Sequence, residues 1–289
     1  MQCLELSTKP HVSILDKERC FDFSQRDFKV VQKLIYDHAG IRLSDAKQDM
    51  VYSRMIRRLR ATGLISFAEY LRVIETDKAE WEAFVNSLTT NLTSFFREDY
   101  HFPILAELLK RKPGQSIRIW CSAASTGEEP YSIAMTALET LGAEAGRVEI
   151  IATDIDTNVL AKAEAGVYTE DRIERIEPRY KKYFLRGSGS RAGMVRVKPA
   201  VQQLVSFRQL NLLSLDWPVD GPFDVLFCRN VLIYFDKETQ RRVLERFMPL
   251  MTRDGLLFIG HSESLLHLTD LFRLRGKTVY ELRQTGHKS

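Results

Sequence analysis

One pattern restricts the possible folds of this chain more than any other. Over its larger, C-terminal part, short runs of β-branched and aromatic residues recur, separated by segments with helical spacing. The runs cover 117–120, 148–153, 204–207, 223–228 and 256–259. A strand buried on both faces reads as an unbroken apolar run, and strands that alternate with helices pair in parallel. These five runs therefore predict an α/β domain whose parallel sheet is covered on both sides. Two further runs, 272–274 and 278–282, flank Arg275, Gly276 and Lys277, which predicts a terminal antiparallel hairpin.

The N-terminal part has a different texture. From Ser24 to about Leu88 every segment has helical spacing. Ser24 with Asp27, Ser66 with Glu69 and Asp77 with Glu80 are placed as helix caps, and Gly40 and Gly63 fall where helices should stop. Phe28, Val31 and Ile35 form one apolar stripe, and Trp81, Phe84, Val85 and Leu88 another. An all-α domain over 23–90 follows, with 1–22 as a flexible extension, 91–99 as a linker and 100–289 as the α/β domain. Within the last, 165–203 carries the turn-rich tract Arg186, Gly187, Ser188, Gly189, Ser190, Arg191, Ala192, Gly193 and then an alternating strand over 194–198. It reads as a small inserted β-subdomain.

Composition excludes several classes. No apolar run approaches the roughly 20 residues of a spanning helix. Glu5, Lys9, Asp16, Lys17, Glu18 and Arg19 interrupt any signal core, so a cytoplasmic protein without direct membrane insertion is expected. Cys3, Cys20, Cys121 and Cys228 are too scattered for a zinc site or a disulfide framework, so no metal is expected. A net charge of +4 is slight, and attraction to an acidic partner has to come from local clustering.

In a doubly wound sheet, ligands bind beyond the carboxyl ends of the strands. After the first run come Ser122, Ala123, Ala124, Ser125, Thr126, Gly127, Glu128, Glu129 and Pro130, small residues that let backbone approach a ligand. The single Gly127 does not make the G-x-G-x-x-G pattern, which counts against a nicotinamide-dependent oxidoreductase. Asp154 and Asp156 end the second strand, where a carboxylate could accept both ribose hydroxyls of a nicotinamide dinucleotide or of S-adenosylmethionine; equally, either could cap the next helix. Asn211 follows the third strand and Arg229 with Asn230 the fourth.

Taken together, these segments resemble the chemotaxis receptor methyltransferases, the CheR family. The likeness is carried by Thr90 through Glu98 (TNLTSFFRE), Ala123 through Tyr131 (AASTGEEPY), Thr153 through Asp156 (TDID), Phe227 through Phe235 (FCRNVLIYF) and Gly260 through Glu263 (GHSE), and extends over 25–284. It implies a Rossmann-like S-adenosylmethionine-dependent methyltransferase sheet. The reaction implied converts glutamate side chains of receptors to 5-O-methyl esters for chemotactic adaptation, leaving S-adenosyl-L-homocysteine. It further implies that Asn91, Thr93 and Arg97 close over the cofactor. Glu128 and Asp154 would hold its methionine end and ribose, with Asn211, Leu212, Arg229 and Asn230 completing the pocket.

An unperturbed glutamate has a pKa of roughly 4.3, so the acceptor arrives ionised and needs no general base. The catalytic segments read as offering no serine–histidine–acid set, in keeping with this. Arg97 and Tyr234 are the candidates to orient the acceptor carboxylate. Alternatively, Arg97 binds the cofactor's own carboxylate or a helix end, and Tyr234 merely packs with Phe235. On the helix over 44–62, Val51, Tyr52, Met55, Ile56 and Leu59 occupy one arc, and Arg54, Arg57, Arg58 and Arg60 the other. The arginine face suits acidic receptor helices, or is simply solvated. Arg186, Gly187, Gly189 and Arg196 match the family's β-subdomain, associated with docking a receptor's C-terminal peptide on a sheet edge. A monomer is expected. A nucleic-acid methyltransferase would share the fold and the arginines, but Arg229, Asn230, Val231 and Leu232 stand where base-amine enzymes place an Asn-Pro-Pro-Tyr-like motif, so no nucleic-acid partner is expected. A non-catalytic receptor adaptor would differ in not binding the donor.

Overall fold

The structure is a computed structural model describing residues 21–283. Apart from Phe21 and Asp22, the expected N-terminal extension lies outside the described residues. Contacts divide the chain into two units, one running to Lys33 and including Ser44–Ser87, the other formed by Leu34–Leu43 and everything from Leu88 onward.

The first unit is helical, as expected. It holds α2 (Gln48–Thr62), α3 (Phe67–Thr76), nearly all of α4 (Lys78–Leu88) and the start of α1 (Gln25–Ala39). The cap signals operate locally. Ser24 Oγ accepts the Asp27 N–H and the Asp27 carboxylate accepts the Ser24 N–H, a reciprocal box, while Ser66 Oγ accepts the Glu69 N–H at 3.2 Å. Gly63 closes α2 at φ 71°, the left-handed conformation that glycine adopts without a Cβ penalty. Val51, Met55 and Leu59 are fully buried, and the rings of Phe28, Tyr52 and Phe67 pack around Phe23 at 4.6–6.5 Å. Glu80 departs from the expected capping role. Asp77 caps α4 alone, and the Glu80 carboxylate instead accepts from Arg58 at 2.6 Å and from the Tyr70 hydroxyl at 2.7 Å.

In the second unit, α5 (His101–Lys110) precedes β1 (Ile117–Cys121), α6 (Glu128–Leu141), β2 (Val148–Asp154) and α7 (Thr157–Ala165). There follow β3 (Val167–Thr169), α8 (Pro178–Lys181), β4 (Phe184–Arg186), β5 (Met194–Val197) and α9 (Pro199–Gln202). The chain ends with β6 (Val205–Gln209), β7 (Phe223–Cys228), α10 (Lys237–Phe247), β8 (Met251–Ile259), β9 (Phe272–Gly276) and β10 (Val279–Leu282). Seven strands form one sheet in the order β6-β2-β1-β7-β8-β10-β9. The strands from β6 to β8 pair in parallel, whereas β10 is antiparallel to both β8 and β9. The α/β sheet and its terminal hairpin are therefore as the runs predicted.

Side chains on successive strand positions face opposite ways, and this splits the core into two layers. Ile119, Cys121, Ile150, Ala152, Val225 and Phe227 pack in one layer, and Trp120, Ile151, Leu226 and Cys228 in the other. Trp120 is fully buried and its indole N–H donates to Thr153 Oγ1 at 3.0 Å, which removes the cost of an unmatched donor. A separate antiparallel sheet, β3-β5-β4, forms the inserted β-subdomain. Only β5 is legible as an alternating strand in the sequence, because β3 and β4 are three residues each.

Candidate active site

The strand order reverses between β1 and β7, so the loops leaving their carboxyl ends diverge and open a crevice. The loop after β1 is tied to both neighbouring strand ends: Ser122 N–H donates to Phe227 O and Ala124 N–H to Thr153 O, each at 2.8 Å. Ser125, at φ 48°, turns its N–H onto Asp154 Oδ2 at 2.8 Å. Gly127 stands at φ 96°, and a Cβ there would lie 2.8 Å from the Tyr168 hydroxyl, so the one glycine of this loop serves packing at the start of α6.

The two acids after β2 divide the roles left open by the sequence. Asp156 caps α7, accepting from the N–H groups of Asn158 and Val159, and its other oxygen accepts from the Asn91 amide at 2.7 Å and the Thr89 hydroxyl at 2.6 Å. Asp154 is buried at the strand end, with Oδ1 on the Asp156 N–H and Oδ2 on that of Ser125. Burial pushes its carboxyl up to about 6, against the lowering effect of those two bonds.

Segment 91–99 lies across these loops. Asn91 O accepts from the Ser125 hydroxyl, Thr93 O from Arg172 at 2.9 Å, and Arg97 O from the Arg229 guanidinium at 2.5 Å. The Arg97 side chain is partly exposed and donates to Leu92 O at 2.8 Å. Arg229 is buried between acids, with Nη1 on Glu129 at 2.5 Å and Nη2 3.2 Å from Glu98. Its buried Nε has no partner among the described residues. An orphaned buried donor costs free energy unless a ligand meets it, and a cofactor carboxylate would do so. Glu128, fully buried, accepts from the Thr126 hydroxyl at 2.6 Å and pairs with Arg172. With Asp154 at the carboxyl end of β2, this donor and acceptor set fits S-adenosylmethionine.

Some expected residues are otherwise engaged. Asn211 donates its amide N–H to His38 O at 2.7 Å and accepts the Leu213 N–H at 2.9 Å, so both ends of its side chain hold neighbouring backbone. Leu212, beside it, is buried. Asn230 sits at φ 57°, its N–H on Glu263 at 2.9 Å and its amide 3.3 Å from Glu98. Tyr234 is half-buried against the second core layer, and its hydroxyl has no partner among the described residues. A groove of about 1150 Å³ beside Arg97 is lined also by Phe96, Tyr100, Arg172 and Tyr180.

Two sequence expectations need correction. Arg58 does not lie on an open arginine face; it is bound to Glu80 and, of the four, Arg57 and Arg60 are exposed and Arg54 is half-buried. The chain also does contain a serine–histidine–acid line: Ser262 Oγ is 3.0 Å from His261 Nε2, and His261 Nδ1 is 2.8 Å from Glu98. The sequence hid it because Glu98 is far from the adjacent His261 and Ser262. In the β-subdomain, Arg186 pairs with Glu170 at 2.6 Å, Arg196 is exposed on β5, and a Cβ on Gly187 would collide with Arg191 O, so glycine is required there. Gly189 stands at φ 58° with open space around it. Glu98, Glu129, Arg172 and Glu263 were missed as site residues. All but Arg172 fall inside the motif stretches, and Arg172 gives no signal in the sequence.

Comparison with known proteins places the chain in a family. The family described as "CheR methyltransferase, SAM binding domain" matches residues 91–281, and "CheR methyltransferase, all-alpha domain" matches 26–89. The chain is 52% identical to the chemotaxis protein methyltransferase of Escherichia coli strain K12, over 90% of this chain and 91% of that one. It is 51% identical to chemotaxis protein methyltransferase 2 of Pseudomonas aeruginosa, over 90% and 94% respectively. Among solved structures, PKMT2 from Rickettsia typhi aligns over 59% of this chain and 26% of that chain, with 15% identity and a TM-score of 0.37. With family models matching both its helical and its sheet parts and relatives about half identical over 90% of its length, the chain belongs to the CheR family of S-adenosylmethionine-dependent chemotaxis methyltransferases.

Proposed function

We propose that the chain transfers a methyl group from S-adenosylmethionine to glutamate side-chain carboxylates on the cytoplasmic part of chemoreceptors, forming 5-O-methyl esters and S-adenosylhomocysteine. The cofactor supplies a methyl carbon made electrophilic by its sulfonium. Asp154 accepts the ribose hydroxyls, Arg229 meets the methionine carboxylate through its unmatched Nε–H, and Asn91, Thr93, Glu128, Leu212 and Asn230 border the same crevice. The acceptor is an anion before it arrives, so what the protein must do is orient it and strip part of its water. Two donors are suited to this, the partly exposed Arg97 guanidinium and the Tyr234 hydroxyl, which has no partner among the described residues. That pair is the observation that carries the acceptor reading, and the names of the relatives support the chemotaxis setting. A guanidinium that bound the carboxylate too tightly would slow attack, and the partial exposure of Arg97 weakens such pairing.

Acidic receptor helices are recognised by Arg54, Arg57 and Arg60, and a receptor's C-terminal peptide adds to the edge of the β-subdomain next to Arg186, Gly187, Gly189 and Arg196. The test is incubation with methyl-labelled donor and a receptor cytoplasmic fragment, followed by mild base. Volatile labelled methanol is expected; label that resists base would mean nitrogen methylation and end this reading.

A further inference from the structure

The carboxylate at position 98 has more partners than any structural ion pair nearby. It accepts the His261 N–H at 3.0 Å, lies 2.8 Å from His261 Nδ1, and accepts from the Tyr100 hydroxyl at 3.2 Å and the Asn230 amide at 3.3 Å. Arg229 stands 3.2 Å away. These donors come from three places: the segment before α5, the loop after β7 and the loop after β8. The Glu98 side chain is only 8% exposed. Burial works against ionisation, but bonds from His261 and Asn230 and the charge of Arg229 bring the carboxyl down to about 2, so it is an acceptor for all five.

The backbone supplies an independent observation. Phe96 and Glu98 both stand at φ 53°, and Ser125 and Asn230 also have positive φ. A bulky residue in that region costs of order 1 kcal/mol or more, and persists only where its surroundings over-determine it. At Phe96 the surroundings are the Ser132 hydroxyl, 2.9 Å from its N–H, and the Tyr180 ring stacked at 4.1 Å. At Glu98 they are the five donors. Arg97 sits between these two fixed residues, and its carbonyl is held by Arg229. For anchoring Arg229 alone, Glu129 would suffice at 2.5 Å. What the second acid adds is a tie between the Arg97 segment and the Asn230 and His261 loops.

We infer that Glu98 is a positioning residue for methyl transfer: by clamping the loops after β7 and β8 onto the segment that carries Arg97, it fixes the acceptor-orienting guanidinium against the cofactor crevice. This rests on the proposed role of Arg97. The two can fail separately, since the functional reading fails if wild-type protein yields no base-labile methyl, whereas this inference is judged on variants compared with an active wild type.

The experiment measures kcat, KM for each substrate, S-adenosylhomocysteine affinity and thermal midpoint for Glu98→Gln, Glu98→Asp and His261→Ala. Glu98→Gln should lower kcat about 10- to 100-fold, the scale set by misplacing a reacting group, in protein that stays folded at the assay temperature despite a lowered midpoint, with product affinity unchanged. Glu98→Asp should recover part of the loss, because aspartate keeps the charge and tolerates positive φ. His261→Ala removes one exposed tether and should give an intermediate loss, and it carries the test if Glu98→Gln does not fold. Wild-type kcat in Glu98→Gln or, failing that variant, in His261→Ala would overturn the inference. So would a loss that merely follows the folded fraction.

Discussion

Acidification should weaken donor binding through one residue. The Asp154 carboxyl is buried at the end of β2 and is pushed up to about 6. Ribose hydroxyls donate well to the ionised form, so binding favours that form and expels a proton wherever Asp154 is protonated in the free protein. Since one pH unit corresponds to a tenfold change in proton occupancy, affinity should be nearly flat from about pH 8 to 7 and roughly tenfold weaker at about pH 5. The sign for stability is opposite. A carboxyl with a folded value above its usual 3.8 favours folding more when neutral, so this group adds stability as pH falls through about 6 while it removes affinity. Equilibrium dialysis of labelled S-adenosylhomocysteine across this range measures the effect. Asp154→Asn should bind at least about tenfold more weakly at neutral pH, having lost charge-assisted bonds, and its affinity should not vary over the acid range. Wild-type affinity constant down to about pH 5, or the same acid limb surviving in Asp154→Asn, would refute the assignment of the ribose to this residue.

Arg58→Ala should lower stability to denaturant by about 1–3 kcal/mol, since it leaves the buried Glu80 carboxylate one charged partner short. Tyr234→Phe removes a hydroxyl without a partner among the described residues, so the thermal midpoint should hold while kcat falls about tenfold. Gly260→Ala would drive a Cβ into Asn230 Nδ2 and set it 2.9 Å from Glu263 Oε2. It should break the bonds that set the loop after β7, with turnover lost more than stability. Deleting residues 188–192 should weaken receptor-fragment binding in a pull-down while product affinity, measured by dialysis, stays intact; loss of both would mark the tract as structural.

What could be read from the sequence follows from what burial demands. Residues 117–121 and 223–228 are almost entirely buried, so their apolar runs announce strands without any long-range knowledge. Helix ends were legible at Ser24, Ser66 and Gly63 because capping is local. Charged pairings were not legible. Arg58 finds Glu80 from another helix, and Glu98 finds Asn230 and His261 from far along the chain, and no spacing encodes either meeting. The two acids at the end of β2 were legible as a cap or a ligand site, but their division was not: Asp156 takes the cap, and Asp154 is buried with its oxygens on the N–H groups of Asp156 and Ser125. Asn211 shows the same limit, since an amide on an α/β loop looks the same in sequence whatever it bonds, and the side chain here holds His38 and Leu213.

If the crevice bordered by Arg97, Asp154 and Asn230 delivers a methyl group to a carboxylate, the product itself must carry the mark. Tandem mass spectrometry of a receptor cytoplasmic fragment after reaction tests this most directly. The mass of one methylene should appear on glutamate side chains and be absent when Arg97→Ala replaces the wild type. Added mass on lysine or arginine, or an unmodified fragment from protein that binds S-adenosylhomocysteine, would contradict it.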